Sequence, residues 1–262
     1  MKNKLTALFT KKPKGLLNIF FTAGYPNLDD TVTILQSLAE TQVDLVEIGI
    51  PFSDPLADGP TIQESSKIAL ENGMSIEKLM MQLESFKSKN PDSTLPILLM
   101  GYFNPVMQYG LEKFCEHCKK AGVDGLIVPD LPLDIYLSEY KTTFEKYDIS
   151  NVFLVTPQTS EKRIRQIDEE TNSFIYAVSS ASTTGSKSNF SDAGTYLSKL
   201  KNMELNSPIL TGFNIKTQAN FDQACEYVNG AIIGSEFIRQ IDGDAETSLN
   251  VKIKKYIESI KC

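Results

Sequence analysis

The sequence predicts an α/β fold, a single (βα)8 TIM barrel spanning residues 1–262, with an extra helix at the N-terminus and an additional helix at the C-terminus. Short apolar or β-branched runs alternate with segments of helical periodicity, which is typical of parallel strands joined by helical crossovers. The alternation occurs eight times in 262 residues, and eight such units need about 250. A doubly wound open sheet is the less favoured alternative, because the chain has no linker between halves and no GxGxxG after its first strand.

The predicted strands leave room for a helix after each of them. They occupy residues 16–23, 43–48, 96–100, 125–128, 151–155, 174–178, 209–210 and 231–233. The helices have polar first residues or apolar residues at helical spacing, and they occupy residues 28–41, 61–72, 75–89, 111–121, 134–147, 160–171, 192–203 and 216–227. The two extra helices are residues 3–9 and 247–260. The reacting groups of such barrels lie at the carboxyl ends of the strands, where we expect the site.

The charge balance argues against a nucleic-acid partner. The net charge is −7, and the chain contains only three arginines, Arg163, Arg165 and Arg239, whereas a phosphate-backbone binder needs a concentrated cationic surface. No window approaches 18 continuous apolar residues, and the apolar stretch 5–9 is too short for a signal-peptide core. We therefore expect a cytoplasmic protein that does not bind membranes.

The histidine and cysteine content limits the possible chemistry. His117 is the only histidine, which leaves no material for a Ser-His-Asp triad or a multi-histidine metal centre. Cys115 and Cys118 have CxxC spacing but lie in a predicted amphipathic helix with no second pair, so they are interpreted as buried apolar residues. We predict no metal site.

A carboxylate interrupts the apolar second strand. Strand alternation places Glu47 on the face opposite to Val46 and Ile48, so Glu47 points into the barrel mouth if the branched residues pack against helices. Burying a carboxylate costs several kcal/mol unless it is paired or protonated, which should raise its pKa toward the range useful for proton transfer. The alternative is a buried glutamate satisfied by a neighbouring backbone or hydroxyl group.

The loop after this strand adds two acids, Asp54 and Asp58, in a segment rich in Pro and Gly. Aspartates before Pro and Gly are usually turn residues. Together with Glu47, however, they form a group of three carboxylates near one strand end. Such a group suits acid–base catalysis without a metal.

Glycines close the last strands. Gly234 and Ser235 follow strand eight and open a helix, and Gly212, Phe213 and Asn214 follow strand seven, where barrels of this kind commonly bind phosphate. Gly185, after strand six, could add a backbone donor. The alternative is that these glycines only permit tight turns.

Several motifs occur in a characteristic order. Residues 47–63 read EIGIPFSDPLADGPTIQ, and FTAGYP (21–26), GYFNP (101–105), VPDLP (128–132), TG (184–185) and GAIIGS (230–235) accompany them. In order and spacing they closely resemble the tryptophan synthase α subunit family. The resemblance covers nearly the whole chain.

The resemblance implies a lyase of tryptophan biosynthesis that cleaves indole-3-glycerol phosphate to indole and glyceraldehyde 3-phosphate by a retro-aldol reaction. Glu47 matches the family's catalytic glutamate and Asp58 its catalytic aspartate. Glu47 would protonate indole C3 and then take the proton of the 3′-hydroxyl, and Asp58 would hold the indole N–H. A Schiff-base aldolase would need a lysine at a strand end, and a zinc aldolase several histidines.

The resemblance also implies binding roles. Substrate-binding positions match Phe20, Met100, Ile127, Leu154 and Tyr176; phosphate-binding positions match Gly185, Gly212, Phe213, Asn214, Gly234 and Ser235; and Thr184 matches the lid residue.

A partner follows from the same resemblance. It implies an α2β2 heterotetramer in which indole passes to a β subunit that carries pyridoxal phosphate, whereas this chain has no cofactor. The implied interface residues are Pro51, Asp54, Asn104 and Pro132.

Two alternatives remain open. One is a weakly catalytic subunit that mainly activates β, motivated by the departures from the family pattern at Ser180, Ser182 and Asn214. The other is a free-standing lyase.

Overall fold

The strands close a barrel in chain order, each parallel to the next. The computed structural model describes residues 4–55, 58–178, 190–212, 215–242 and 247–261, with the backbone alone at 190–193. The strands are β1 Leu16–Thr22, β2 Leu45–Gly49, β3 Ile97–Met100, β4 Gly125–Ile127, β5 Ser150–Val155, β6 Ile175–Ala177, β7 Ile209–Thr211 and β8 Gly230–Ile233. Because β8 also pairs with β1, the predicted (βα)8 TIM barrel is confirmed.

Helices follow the strands on the outside. They are α1 Lys4–Lys11, α2 Asp30–Ala39, α3 Pro60–Glu71, α4 Ile76–Lys89, α5 Phe103–Tyr109, α6 Leu111–Ala121, α7 Leu133–Ile135, α8 Lys141–Lys146, α9 Glu161–Glu170, α10 Phe190–Asn202, α11 Gln218–Cys225, α12 Ser235–Ile241 and α13 Leu249–Ile260. α1 and α13 are the two predicted extra helices. None of the helices in the described part of the chain is long and apolar enough to cross a membrane.

Capping residues explain several helix starts. Ser75, Ser160 and Thr217 each accept a hydrogen bond of 3.3 Å from the backbone N–H three residues later, which satisfies a donor that the first turn leaves free. Gly122, with φ of 78°, ends α6 in the left-handed conformation that glycine adopts without strain.

Two helical segments differ from the sequence prediction. The predicted helix 134–147 is instead two short helices, α7 and α8, separated by a π-helical turn over Tyr136–Tyr140. α5 was not predicted, because its Asn104-Pro105 pair is typical of a turn. Gly110, with φ of 94°, separates α5 from α6.

Strand register identifies the residues that face the barrel interior. Paired residues of a parallel ladder point to the same face, and alternate residues of one strand share it. Phe20 pairs with Glu47. The negative charge of Glu47 raises the pKa of Tyr176, which lies on β6 at the opposite side of the barrel. Two side chains on opposite sides can interact in this way only across the interior, so this face is the interior. Near the carboxyl ends the register places on it Phe20, Glu47, Gly49, Met100, Ile127, Leu154, Tyr176, Gly212 and Gly234.

Helix α1 covers the amino end of the barrel. Leu5 is fully buried, and a Cβ added to Gly125 would lie 3.3 Å from Leu5 Cδ1. Lys4 Nζ lies 3.1 Å from Asp124 Oδ2, which anchors α1 at the start of β4. Helix α1 is therefore held against the amino end of the barrel by both an apolar and an ionic contact.

Candidate functional site

Glu47 lies in the middle of β2 and is fully buried. The Nδ2 group of Asn18, on β1, donates a hydrogen bond to Glu47 Oε1. Burial raises the pKa of Glu47 to about 8, and the Asn18 hydrogen bond opposes this rise because it stabilises the charged form. Glu47 is therefore mostly protonated at neutral pH, and the rise in its pKa is what the sequence predicted from its place on the strand.

Asp58 lies just before α3, next to Gly59 and Pro60 at the start of that helix. The Tyr102 hydroxyl donates to Asp58 Oδ2 over 3.4 Å. Burial raises the pKa of Asp58 to about 6, and the Tyr102 hydrogen bond works against the rise. Two carboxyls from one strand and its loop thus have different proton affinities, an arrangement that separates an acid from a base.

Tyr176 projects from β6 toward both acids. Burial holds the pKa of the Tyr176 hydroxyl well above its usual range, and the negative charges of Glu47 and Asp58 raise it further. The hydroxyl therefore remains a neutral hydrogen-bond donor. A Cβ added to Gly212 would lie 2.6 Å from Tyr176 Oη. The ring therefore needs glycine at position 212.

An apolar cleft opens beside Asp58 at the carboxyl ends of β1 to β3. Its walls are Phe20, Gly49, Ile50, Asp58, Ile62, Ser66, Met100, Gly101, Tyr102 and Pro129. Phe20 and Met100 are among the positions that the resemblance assigns to substrate binding. The others, Ile127, Leu154 and Tyr176, share the interior face, since Ile127 pairs with Met100 and Leu154 with Tyr176.

The expected phosphate-binding positions are only partly described. Gly212 directly follows β7, Gly234 directly follows β8 and Ser235 begins α12, so the three lie at the carboxyl end of the barrel. A Cβ added to Gly234 would lie 3.3 Å from the Phe20 ring. Gly185, Phe213, Asn214 and the lid residue Thr184 lie outside the described residues, as do Ser180 and Ser182.

The expected interface residues follow β2, β3 and β4. Asp54, Asn104 and Pro132 are exposed, whereas Pro51 is buried. They therefore lie around the same end of the barrel as the carboxyls.

The two cysteines of the CxxC pair and the histidine, which the sequence analysis did not assign to the site, lie together on α6. Cys115 and Cys118 are buried in α6, where burial raises the pKa of the Cys115 thiol to about 12, and the Tyr109 hydroxyl lies 2.7 Å from His117 Nδ1. Across the described ranges, no group of three or more His, Cys, Asp or Glu side chains could hold a metal ion.

Sequence reasoning missed two residues that contact the acids, Asn18 and Tyr102. Asn18 is a polar residue inside the apolar β1, in alternation with Phe20, and that is the signal that could have identified it. Tyr102 gave no comparable signal, because its contact with Asp58 joins two separate loops.

Comparisons with known proteins match one family over nearly the whole chain. A family model described as tryptophan synthase alpha chain matches residues 7–261. The chain is 52% identical over 251 residues to the tryptophan synthase alpha chain of Flavobacterium psychrophilum, covering 95% of this chain and 96% of the relative. The corresponding protein of Parabacteroides distasonis is 46% identical over 260 residues, covering 99% of both chains.

Solved structures give the same result. The fold is similar to the crystal structure of tryptophan synthase subunit alpha from Legionella pneumophila, with a TM-score of 0.88, 28% identity and coverage of 99% of this chain and 97% of the other. A Mycobacterium tuberculosis tryptophan synthase structure has a TM-score of 0.86 at 26% identity, covering 99% of this chain and 97% of the other. On these matches, the chain belongs to the tryptophan synthase alpha chain family.

Proposed function

We propose that this alpha chain cleaves indole-3-glycerol phosphate to indole and glyceraldehyde 3-phosphate with Glu47 as the proton carrier and Asp58 as the group that holds the indole N–H. The reaction makes the chain a lyase of tryptophan biosynthesis. The observation that carries the proposal is a buried Glu47 with a pKa of about 8 near a half-buried Asp58 with a pKa of about 6, which lines an apolar cleft.

Glu47 acts first as an acid. Indole is a poor carbanion leaving group until its C3 carbon is protonated, and a pKa of about 8 gives Glu47 the required proton at neutral pH. The Glu47 carboxylate then accepts the proton of the 3′-hydroxyl as the C3–C3′ bond breaks, which releases indole and an aldehyde. Glu47 ends the cycle protonated.

Asp58 acts through its charge. Protonation at C3 makes the indole ring cationic, and a carboxylate at the ring N–H stabilises that cation more than it stabilises the neutral substrate. A pKa of about 6 keeps Asp58 ionised at neutral pH. The Tyr102 hydrogen bond, over 3.4 Å, orients its carboxylate.

The remaining positions bind the two ends of the substrate. Phe20, Met100, Ile127, Leu154 and Tyr176 provide the indole pocket, which their shared interior face supports. Gly185, Gly212, Phe213, Asn214, Gly234 and Ser235 bind the phosphate, and Thr184 belongs to the lid. The proposal assigns no metal and no cofactor to this chain.

The partner in this proposal is a β subunit that carries pyridoxal phosphate and receives the indole in an α2β2 heterotetramer. Exposure of Asp54, Asn104 and Pro132 at the carboxyl end of the barrel supports docking there, whereas Pro51 is buried. The proposed compartment is the cytoplasm, which suits the free thiols of Cys115, Cys118 and Cys225.

The test is Glu47→Gln, which keeps the side chain's shape but removes the transferable proton. We expect indole release to fall by at least about 100-fold, with an unchanged circular dichroism spectrum. Glu40→Gln, at an exposed glutamate near the opposite end, should keep full activity. Near-normal turnover by Glu47→Gln would overturn the assignment.

The same assay separates the alternatives. Indole release is measured with and without a tryptophan synthase β subunit. Substantial release by the chain alone argues against a merely activating subunit. High release alone, without stable association with β, favours a free-standing lyase.

A further inference from the structure

Asn18 is a polar side chain that the reaction described above leaves unused. It lies on β1, is fully buried, and faces the barrel interior one step below Phe20. Its Nδ2 group donates to Glu47 Oε1, whereas its own Oδ1 has no hydrogen-bond partner in the described part of the chain. A buried asparagine with an unpaired oxygen is unfavourable in a strand, so its presence requires an explanation.

Glu47 has one paired and one free oxygen. Oε1 accepts from Asn18, while Oε2 is buried and has no partner among the described residues. An N–H group can only donate, so the oxygen that it contacts must act as an acceptor. The carbonyl oxygen of a neutral carboxyl is the stronger acceptor, so this contact favours the form whose proton is on Oε2.

The other groups around Glu47 do not compete with Asn18 for this role. Its register neighbours, Phe20 on β1 and Leu98 on β3, are apolar. The titratable group that interacts with it across the barrel is Tyr176 on β6, whose pKa is raised by burial first and then by the negative charges of Glu47 and Asp58. Asn18 is the side chain that donates a hydrogen bond to Glu47 within the described ranges.

We propose that Asn18 is a positioning residue for the reaction proposed above: its amide holds the Glu47 carboxyl by Oε1, so that Oε2 carries the proton to the substrate and later receives one back. Asn18 does not touch the reacting atoms. It decides which oxygen exchanges the proton and keeps the carboxyl from rotating away from the substrate.

The same hydrogen bond adjusts proton affinity. Burial alone would hold the proton on Glu47 too firmly for the second half of the reaction, in which the group acts as a base. Donation from Asn18 favours the ionised form and brings the pKa closer to neutral, where a group that both gives and takes a proton works best.

The first test measures the Glu47 titration in the chain without substrate. The carboxyl band is followed by infrared difference spectroscopy and identified by its loss in Glu47→Gln. We expect Asn18→Leu to move the titration to higher pH by about one unit. Asn18→Asp, which places a second carboxyl against Glu47, should move it further still. A packing role alone would not order wild type, Asn18→Leu and Asn18→Asp by what position 18 offers Glu47, which is a hydrogen-bond donor, no polar group and a second carboxyl, respectively.

The matched control is Asn151→Leu. Asn151 is also a buried asparagine on a barrel strand with an unpaired Oδ1, but the β5 register turns it away from the interior. We expect it to leave the Glu47 titration unchanged. Equal titrations in wild type and Asn18→Leu would overturn the inference, as would equal shifts in Asn18→Leu and Asn151→Leu.

A further measurement needs no substitution, because it uses the wild-type chain. In the wild-type chain, the side-chain amide resonances of Asn18 should move at the pH at which Glu47 titrates, and the absence of that movement contradicts the contact. In the activity assay, Asn18→Leu should lower kcat by about tenfold with KM nearly unchanged. The titration requires no turnover, so it tests the Asn18–Glu47 pair even if Glu47→Gln overturns the proposed function.

Discussion

The two ends of the barrel surround their acidic side chains with different groups. At the amino end, Asp44 accepts hydrogen bonds from the Lys12 and Lys261 ammonium groups and from the backbone N–H of Leu17. At the carboxyl end, Glu47 accepts a hydrogen bond from the Asn18 amide and Asp58 accepts one from the Tyr102 hydroxyl. Neither acid has a lysine or arginine partner in the described part of the chain. The amino end pairs its carboxylates, whereas the carboxyl end leaves them able to exchange protons.

This difference separates stability from chemistry. Asp44 ties the segment before β1 and the end of α13 to the start of β2, so its charge holds distant parts of the chain together. An acid without a cation keeps a raised pKa, as Glu47 and Asp58 do, and contributes little to stability in its charged form. Substitutions at the two ends should therefore have different consequences.

The largest expected effect is at the carboxyl end, from Asp58→Asn. The amide cannot stabilise the cationic ring, so we expect kcat for indole release to fall by about 10²–10⁴-fold. The urea midpoint should change little, because no cationic partner loses its counter-charge. Retained turnover together with a lower midpoint would place Asp58 with the structural acids and break the comparison.

Asp44→Asn should show the reverse pattern. It leaves the Lys12 and Lys261 ammonium groups facing each other without a counter-charge, and the Asp44 and Lys261 side chains are only 11% and 12% exposed. We expect the free energy of unfolding to fall by about 2 kcal/mol, with kcat unchanged. Urea denaturation and the indole assay measure the two quantities.

The control for this prediction is Glu40→Gln. Glu40 pairs with Lys254 over 2.7 Å, but both side chains are largely exposed, so its loss should cost less than about 1 kcal/mol. Equal losses for Asp44→Asn and Glu40→Gln would mean that burial adds nothing to the pair at the amino end.

The architecture could be predicted from the sequence because it depends on local patterns. Each strand is a short apolar run, and each long helix has its own periodicity and, in several cases, a capping Ser or Thr. The same patterns failed where two signals conflict, as in α5, where Asn104-Pro105 indicates a turn although the segment is helical. The π-helical turn at Tyr136–Tyr140 has no pattern that periodicity can detect.

The site was predictable only as far as single strands determine it. Alternation along β2 predicts that Glu47 faces the interior, and the strand-end rule directs attention to Asp58. The hydrogen bonds from Asn18 and Tyr102 join residues 29 and 44 positions apart, and such contacts depend on the offset between strands and on loop shape. No local pattern encodes those quantities.

A smaller effect at the carboxyl end is expected from Gly212→Ala. The added Cβ would lie 2.6 Å from Tyr176 Oη, so the ring must move away from the two acids. We expect kcat/KM to fall by about tenfold through misplacement of the substrate. Gly194→Ala is the control, because the nearest atom to its added Cβ is 3.8 Å away. Unchanged kinetics for Gly212→Ala would show that the Tyr176 position is unimportant.

The mildest effect is that of pH on the wild-type chain, and it tests the comparison most directly. Glu47 must start protonated, so kcat/KM should fall as pH rises through about 8, and Asp58 must be ionised, so kcat/KM should fall as pH drops through about 6. The value of kcat/KM should therefore be highest near pH 7 and fall to about half of that maximum near pH 6 and near pH 8. Asp44→Asn should keep both limbs, since the paired acid takes no part in proton transfer. If Asp44→Asn moved the limbs of the pH profile, the amino end would control the proton affinity of Glu47 and Asp58. The separation of structural acids at the amino end from catalytic acids at the carboxyl end would then be wrong.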